Sequence, residues 1–150
     1  MIDKFILYST IRIQHSALMQ TFLPYPDFKK SASVLDDKRL GRQRVESYQI
    51  LRVLSGLTKG WINHPAVRMW KGFDMALSAY MNAMIDEWEN RGFRNSMYRV
   101  AVPGRYDKPG WLGREEIHKA YRSNLLRKDP DHYRKFWPEE SDELPYIWPA

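Results

Sequence analysis

The chain has no cysteine among its 150 residues, and this absence excludes whole classes of protein. Disulfide-stabilised secreted domains and metal sites built on thiolates both require cysteine. Its absence fits the reducing cytosol, so we expect a cytoplasmic protein. No apolar run approaches the roughly 20 residues of a membrane-spanning helix. The first 18 residues contain Lys4, Arg12 and His15 and no uninterrupted apolar stretch, unlike a secretory signal peptide.

Histidine is also scarce, and the four residues His15, His64, His118 and His132 show none of the spacings of helical metal motifs. We therefore expect neither a metal nor another cofactor. The sequence has no internal repeat and no low-complexity tract. Its length suits one compact domain that buries about two thirds of its unfolded surface.

Negative charge is outweighed by positive charge in this chain. Lysine and arginine number 24 against 18 aspartates and glutamates, which gives a net charge of +6 and a pI near 9.5. Such an excess favours polyanionic partners such as nucleic acid. Aromatic residues make up 14% of the chain. Rings among cations suit a surface that binds phosphates and stacks bases, although most of these rings are expected in the core.

Strand-like alternation is absent, and the hydrophobic pattern predicts an all-α fold. After the extended segment LPYPDF, a helix is expected from Val34 to about Leu54, with Ser31 or Ser33 near its start as the cap. A second helix should begin at Pro65, capped by Asn63 or His64, and run on past Trp88 to Gly92.

The rest of the chain is predicted to contain less regular structure. Residues 92–113 hold four glycines and two prolines and should form a long loop. A third helix should span about 114–128, and a short helical piece 131–136. The proline-rich tail SDELPYIWPA should run extended over the body. The expected architecture is a single compact helical domain with this loop and tail.

The first helix carries four cations within seven positions, namely Lys38, Arg39, Arg42 and Arg44. A turn of about 100° per residue brings Arg39, Arg42 and Gln43 together with Glu46, on the flank of the apolar stripe. Glu46 should be partly buried there, where cations favour its charged form and desolvation opposes it. One interpretation is an ordinary helix ion pair. The other is a catalytic acid inside a phosphate-binding groove.

A second group of polar residues lies on the third predicted helix. Its members are His118, Arg122, Asn124, Arg127 and Lys128. His118 and Arg122 are four residues apart on one face, which can bind a phosphate, and cations at the helix end suit the helix dipole. The alternative is a solvated basic face opposite a core of Tyr121, Leu125 and Leu126. His64 likewise either caps its helix or reaches into a groove.

Four segments together resemble the pyrimidine-dimer DNA glycosylase/endonuclease V family. They are QTFLPYPDFKKSASVLDDKRLGRQRVESYQIL, GWINHPAVRMW, HKAYRSNLLRKDPDHY and LPYIWP. The chain resembles most closely the bacterial and archaeal branch of that family. The resemblance runs from about Met19 to Pro149, so residues 1–18 are expected to be an N-terminal extension and 19–150 the family domain.

The resemblance implies a single all-α domain that binds double-stranded DNA and excises a damaged pyrimidine, or in this branch another modified base; we expect a monomer. In a phage member of the family, an N-terminal α-amine attacks the sugar C1′, a Schiff base forms, and β-elimination can cut the strand. One glutamate, nine residues after an aspartate, stabilises the developing positive charge. Asp37 and Glu46 have that spacing. The resemblance therefore assigns Glu46 as catalytic. From their charge and spacing, we expect the cations around it, with His64 and the second group, to bind DNA.

This sequence departs from the phage enzyme at two places that affect the mechanism. Val45 stands where the phage enzyme has arginine, with Arg42 and Arg44 as candidate substitutes. Met19 and Gln20 stand at the family's N-terminal position but follow 18 further residues. If translation starts at Met1, the α-amine lies far from the family's position. If it starts at Met19, the nucleophile is the amine of Met19 itself, an internal lysine, or absent. If it is absent, Glu46 can activate water instead.

Opening a base stack also requires apolar or aromatic side chains, for which Tyr25, Trp61 and Trp111 are candidates. Two other functions remain consistent with the residues. One is a non-catalytic binder of distorted or damaged DNA. The other is a small-molecule or protein-interaction domain whose basic charge is incidental.

Overall fold

The computed structural model describes residues 19–149, and within this range the regular elements are helices with no strand. The helices are α1 (Phe28–Val34), α2 (Asp37–Leu54), α3 (Pro65–Arg68), α4 (Asp74–Asn90), α5 (Glu115–Lys128) and α6 (Pro130–Tyr133). The all-α prediction is confirmed. The predicted extension, 1–18, lies outside the described residues. None of the helices within 19–149 is long and apolar enough to cross a membrane.

The first predicted helix is two helices, and the predicted serine caps are wrong. Asp27 caps α1, its Oδ1 accepting the Lys30 N–H at 2.8 Å, and Asp36 caps α2, its Oδ2 accepting the Arg39 N–H at 3.3 Å. A carboxylate at this position satisfies a free N–H of the first turn. Ser31 lies inside α1, where its hydroxyl donates to the carbonyl of Tyr25 at 2.9 Å. The Asp36 cap fixes where the basic face of α2 begins.

The second predicted helix is also interrupted. His64 caps α3 as predicted, with Nδ1 accepting the Ala66 N–H at 3.0 Å, and Pro65 occupies the first position. Gly72 then adopts a φ of +85°, which a right-handed helix cannot continue, and α4 begins two residues later. Gly92, with a φ of +90°, ends α4 as predicted.

The long helices α2 and α4 pack closely against each other. Gly41 of α2 faces the Trp88 ring of α4, where an added Cβ would lie 2.9 Å from the nearest ring carbon. α5 adds Tyr121, Leu125 and Leu126 to the core, as predicted. Residues 93–114 and 138–149 contain neither helix nor strand. The packing leaves one face of α2 beside the segment that precedes α1.

Candidate active-site cleft

A cleft of about 130 Å³ lies between α2, the segment 20–22 and the end of α5. Its lining residues are Gln20, Phe22, Lys38, Arg39, Arg42, Glu46 and Lys128. The α2 members recur at helical spacing and so share one face. The structure thus brings Lys128, from the second predicted group, to the basic stripe of α2.

Glu46 lies at the bottom of this cleft and is more deeply buried than the sequence predicts, with 3% of its surface exposed. Its Oε2 accepts a hydrogen bond from Gln43 Nε2 at 2.9 Å, and the backbone of Gln20 also donates to the carboxylate. Arg42 Nε is 4.0 Å from Oε1, and the Arg42 side chain remains 45% exposed. The acid therefore has a fixed position and one cation at the distance of a loose ion pair.

Burial decides the protonation state of Glu46. Desolvation raises the pKa of its carboxyl to about 8, against which Arg42, the Gln20 N–H, Gln43 and Lys128 act only in part. Of the two opposing effects expected from the sequence, desolvation is the larger. At neutral pH the Glu46 carboxyl therefore holds its proton, so it can act as a general acid.

Gln43 holds the acid in place and was not predicted as a site residue. It is 1% exposed, and its Nε2 donates to Glu46 and, at 3.0 Å, to the Gln20 carbonyl. Its Oε1 accepts the Phe22 N–H at 3.1 Å and lies 2.5 Å from the Tyr80 hydroxyl. The position of Gln43 three residues before Glu46 is a sequence signal for contact. Tyr80 and the segment 20–22 come from elsewhere in the chain.

The predicted cations divide into those at the cleft and those elsewhere. Lys38, Arg39 and Arg42 line it, and Arg39 also pairs with Asp36 at 3.1 Å. Arg44 points away, with its guanidinium 2.7 Å from Asn95 Oδ1 and 4.3 Å above the Trp88 ring. Arg42, rather than Arg44, is thus the arginine beside Glu46.

The phosphate site predicted for His118 and Arg122 is not supported by their placement. The His118 side chain is fully buried, with Nε2 accepting the Gly113 N–H at 2.8 Å and Nδ1 lying 2.8 Å from the Leu23 carbonyl. The Arg122 guanidinium pairs with Glu115 and Glu140 and donates to the Pro24 carbonyl at 2.8 Å. These two residues hold the segment before α1 and the tail against α5.

We expect Arg122→Met to destabilise the protein by about 2–3 kcal/mol, because charge-assisted hydrogen bonds are lost and the Pro24 carbonyl loses its donor. Chemical denaturation measures the loss, and Lys119→Met, which removes an exposed cation from the same helix, is the control. The salt dependence of DNA binding should be the same in both variants. A reduced salt dependence with unchanged stability would restore the phosphate role of Arg122.

The other predicted site residues lie outside the cleft or in the core. Arg127 donates to the Asp142 and Leu144 carbonyls at 2.7 Å each and so holds the tail. Asn124 is 9% exposed, and Met19 is 1% exposed in the core. His64 packs between the rings of Trp61 and Trp148.

The three aromatic candidates for base-stack opening are also set into the packing. Trp111 is buried, and its Nε1 donates to the Met69 carbonyl at 3.0 Å. The Tyr25 hydroxyl accepts a bond from Trp137 Nε1 at 2.8 Å. Trp61 is half-buried, with a φ of +73°. None of the three lines the cleft. Residues 19–149 also contain no group of three or more histidines and carboxylates that could hold a metal ion.

The model of the family "pyrimidine dimer DNA glycosylase" matches the chain over residues 19–99. The chain belongs to this family. The matched range includes Gln20, Gln43 and Glu46 but ends before Lys128, and it confirms the resemblance without testing the bacterial and archaeal branch. Comparisons with curated proteins and with solved structures found no match. Membership indicates a DNA repair glycosylase at the level of the family.

Proposed function

We propose that this protein excises a damaged or modified pyrimidine from duplex DNA, with Glu46 as the group that transfers the proton. The observation that supports the proposal is a buried carboxyl, with its pKa raised by desolvation, at the bottom of a cation-lined cleft in a chain of this glycosylase family. Neither a surface ion pair nor a pure phosphate-binding patch requires a carboxyl in such a position, where its burial is costly.

The cations around the cleft have the role of binding the DNA backbone. Lys38 and Lys128 are exposed, and the Arg42 side chain is 45% exposed, so they can contact phosphates on either side of one nucleotide. The damaged nucleotide would leave the base stack so that its deoxyribose faces Glu46.

The proposed reaction uses both protonation states of Glu46. As the bond from C1′ to the base breaks, its electron pair leaves with the base, which takes the Glu46 proton. The carboxylate then lies beside a sugar with oxocarbenium character and stabilises its positive charge. A nucleophile adds to C1′ and returns a proton to the carboxylate. The acid thus regains its starting state.

Duplex DNA irradiated with ultraviolet light, together with duplexes carrying single oxidised or modified pyrimidines, provides the test. The wild-type chain should cut the bond from C1′ to the altered base and leave an abasic site, which alkali converts into a strand break. Intact DNA across the whole set of lesions would contradict the proposal.

Phosphate contacts at the cleft should make DNA binding depend steeply on salt. We expect Lys38→Gln to lower the slope of log affinity against log salt by about 0.9, which corresponds to one lost phosphate contact. Fluorescence anisotropy over a salt series measures this slope. Lys108→Gln, an exposed lysine that does not line the cleft, is the control. Equal slopes in the two variants would place the DNA elsewhere.

A further inference from the structure

Arg39 differs from the other cations that line the cleft, because a carboxylate already holds its guanidinium in place. Its Nη1 donates to Asp36 Oδ1 at 3.1 Å, and 21% of its side chain is exposed. The Arg42 side chain is 45% exposed with a looser contact at 4.0 Å, and Lys38 and Lys128 are exposed. The cleft thus combines more exposed cations with one arginine of fixed position.

The Asp36 carboxylate does more than cap α2. Its Oδ2 accepts the Arg39 N–H at 3.3 Å, a capping bond that asparagine or serine can also supply. Its Oδ1 accepts from the Arg39 guanidinium and from the Tyr133 hydroxyl. Burial favours the neutral form of Asp36, but the bonds from Tyr133 and Arg39 lower the pKa of its carboxyl below the ordinary value. Asp36 thus stays negative beside the basic face of α2, where its charge repels phosphate.

Tyr133 fixes Asp36 from a separate helix, α6. Its hydroxyl donates to Oδ1 and accepts the Asp36 N–H at 3.1 Å. The Tyr133 ring is fully buried and stacks on the Trp137 ring, with 5.5 Å between the centroids and 5° between the planes. The core therefore holds the carboxylate, and the carboxylate holds the guanidinium. Because Asp36 and Tyr133 lie 97 positions apart, the spacing of the cations along α2 does not reveal this arrangement.

We propose that Arg39, positioned by Asp36 and Tyr133, selects DNA with an extruded nucleotide, an inference that rests on the proposed function. The pair of Arg39 and Asp36 has no net charge, so as a unit it adds little to the attraction of any duplex. One N–H of the guanidinium donates to Asp36, and the others can donate to a phosphate at hydrogen-bond distance. The side chain is ordered before DNA binds, which favours a phosphate at one position. A phosphate reaches that position in the cleft when its nucleotide leaves the stack.

Two duplexes of the same sequence measure this selection, one intact and one with a tetrahydrofuran in place of one sugar and its base. The tetrahydrofuran has no base to lose, so fluorescence anisotropy measures binding without reaction. The wild-type chain should bind this analogue more tightly than the intact duplex. The double variant Asp36→Asn/Arg39→Gln removes the pair as a neutral unit. It should bind the intact duplex with an affinity within about twofold of the wild type, and its preference for the analogue should fall at least about tenfold, as expected for one lost charge-assisted bond.

Asp36→Asn alone separates charge from orientation. The asparagine oxygen still caps α2, but an amide N–H₂ replaces Oδ1, to which Arg39 and Tyr133 donate. The intact duplex should bind more tightly because a repulsive charge is lost, whereas the preference for the analogue should fall. Asp37→Asn is the matched control, since it removes the same charge from the adjacent residue, which is 64% exposed and pairs with Arg91. It should tighten binding of both duplexes equally.

Tyr133→Phe leaves the charge of the surface unchanged, so the affinity for the intact duplex should stay the same while the preference for the analogue falls. Denaturant unfolding checks that each variant is folded, and if Tyr133→Phe is not, Asp36→Asn and its control decide. An unchanged preference in the double variant would overturn the inference. Equal tightening of both duplexes by Asp36→Asn would do the same, as would equal binding of both duplexes by the wild-type chain.

Cleavage of the bond from C1′ to an altered base is measured in parallel and reports on the proposed function alone. A preference for the analogue that depends on Arg39, without cleavage at any lesion, would uphold the selective role of Arg39 and contradict base excision. Base excision by a chain that binds the two duplexes equally would uphold the proposed function and overturn the role of Arg39. The two failures are therefore distinguishable.

Discussion

Replacing Glu46 with glutamine should abolish base excision and, at the same time, stabilise the fold. Glutamine keeps an oxygen that can accept from Gln43 Nε2 and from the Gln20 N–H, so the geometry of the cleft is retained. It can neither give a proton to the leaving base nor become negative beside C1′. Loss of general acid catalysis alone costs about 10²- to 10⁴-fold in rate. Loss of the charge adds to that.

The stabilisation follows from the raised pKa of Glu46. The folded chain holds this proton up to about pH 8, whereas the unfolded carboxyl releases it near its ordinary value of 4.5. In this interval the folded state binds more protons than the unfolded state, so rising pH lowers the free energy of unfolding. The shift corresponds to roughly 3 kcal/mol at neutral pH and more above pH 8. Glu46→Gln has no such titration and keeps this free energy of unfolding, so it should be the more stable protein at neutral pH. At acid pH the two proteins should be equally stable.

Denaturant unfolding of both proteins over a pH series measures the effect, and Glu116→Gln, which removes an exposed carboxylate from α5, is the control. The wild type and the control should lose stability as pH rises towards 8, whereas Glu46→Gln should lack this contribution. Unchanged pH dependence in Glu46→Gln would show that the carboxyl titrates normally. Substantial excision by Glu46→Gln would remove it from the mechanism.

Sequence patterns predicted correctly those helix positions that depend on residues close by in the chain. The third helix was expected over about 114–128 and spans Glu115–Lys128, because its apolar stripe and its end before Pro130 depend on near neighbours. The N-terminal cap at His64 and the helix end at Gly92 were predicted on the same local grounds. The break at Gly72 was missed, because the apolar spacing continues across it and only the backbone conformation reveals the interruption.

The candidate site was less predictable, because its chemistry depends on contacts between distant segments. Helical spacing placed Arg42, Gln43 and Glu46 on one face, but the segment 20–22 and Tyr80 are what bury the acid. For the same reason, His118 and Arg122 were predicted to be an exposed pair. In the fold they contact Leu23, Pro24 and Glu140, which come from distant parts of the chain. Arg44 could have been excluded from sequence alone, since two residues on a helix differ by about 200°.

The second large effect is expected for Gln43, the residue that joins Glu46 to the rest of the core. Gln43→Met preserves volume but removes the donors to Glu46 and the Gln20 carbonyl and the acceptor for the Phe22 N–H. The Phe22 N–H keeps the Tyr80 hydroxyl as acceptor at 3.0 Å, whereas the Gln20 carbonyl loses its Gln43 donor. A buried polar group left without a partner costs about 1–3 kcal/mol, so we expect a loss of about 2–3 kcal/mol in the free energy of unfolding.

If Gln43 only stabilises the fold, Gln43→Met should lower stability and do nothing else. If Gln43 also positions Glu46, the substitution should change the pKa of Glu46 as well. The Gln43 hydrogen bond lowers the pKa of Glu46, so its removal should raise that pKa further. Excision by the wild type should decline as Glu46 loses its proton near pH 8, and in Gln43→Met this decline should move to higher pH. Gln49→Met, at another buried glutamine of α2 that does not line the cleft, should leave the decline in place. Identical pH profiles for Gln43→Met and the wild type would reduce Gln43 to a packing residue, since the hydrogen bond to Glu46 is the link between this side chain and the reaction.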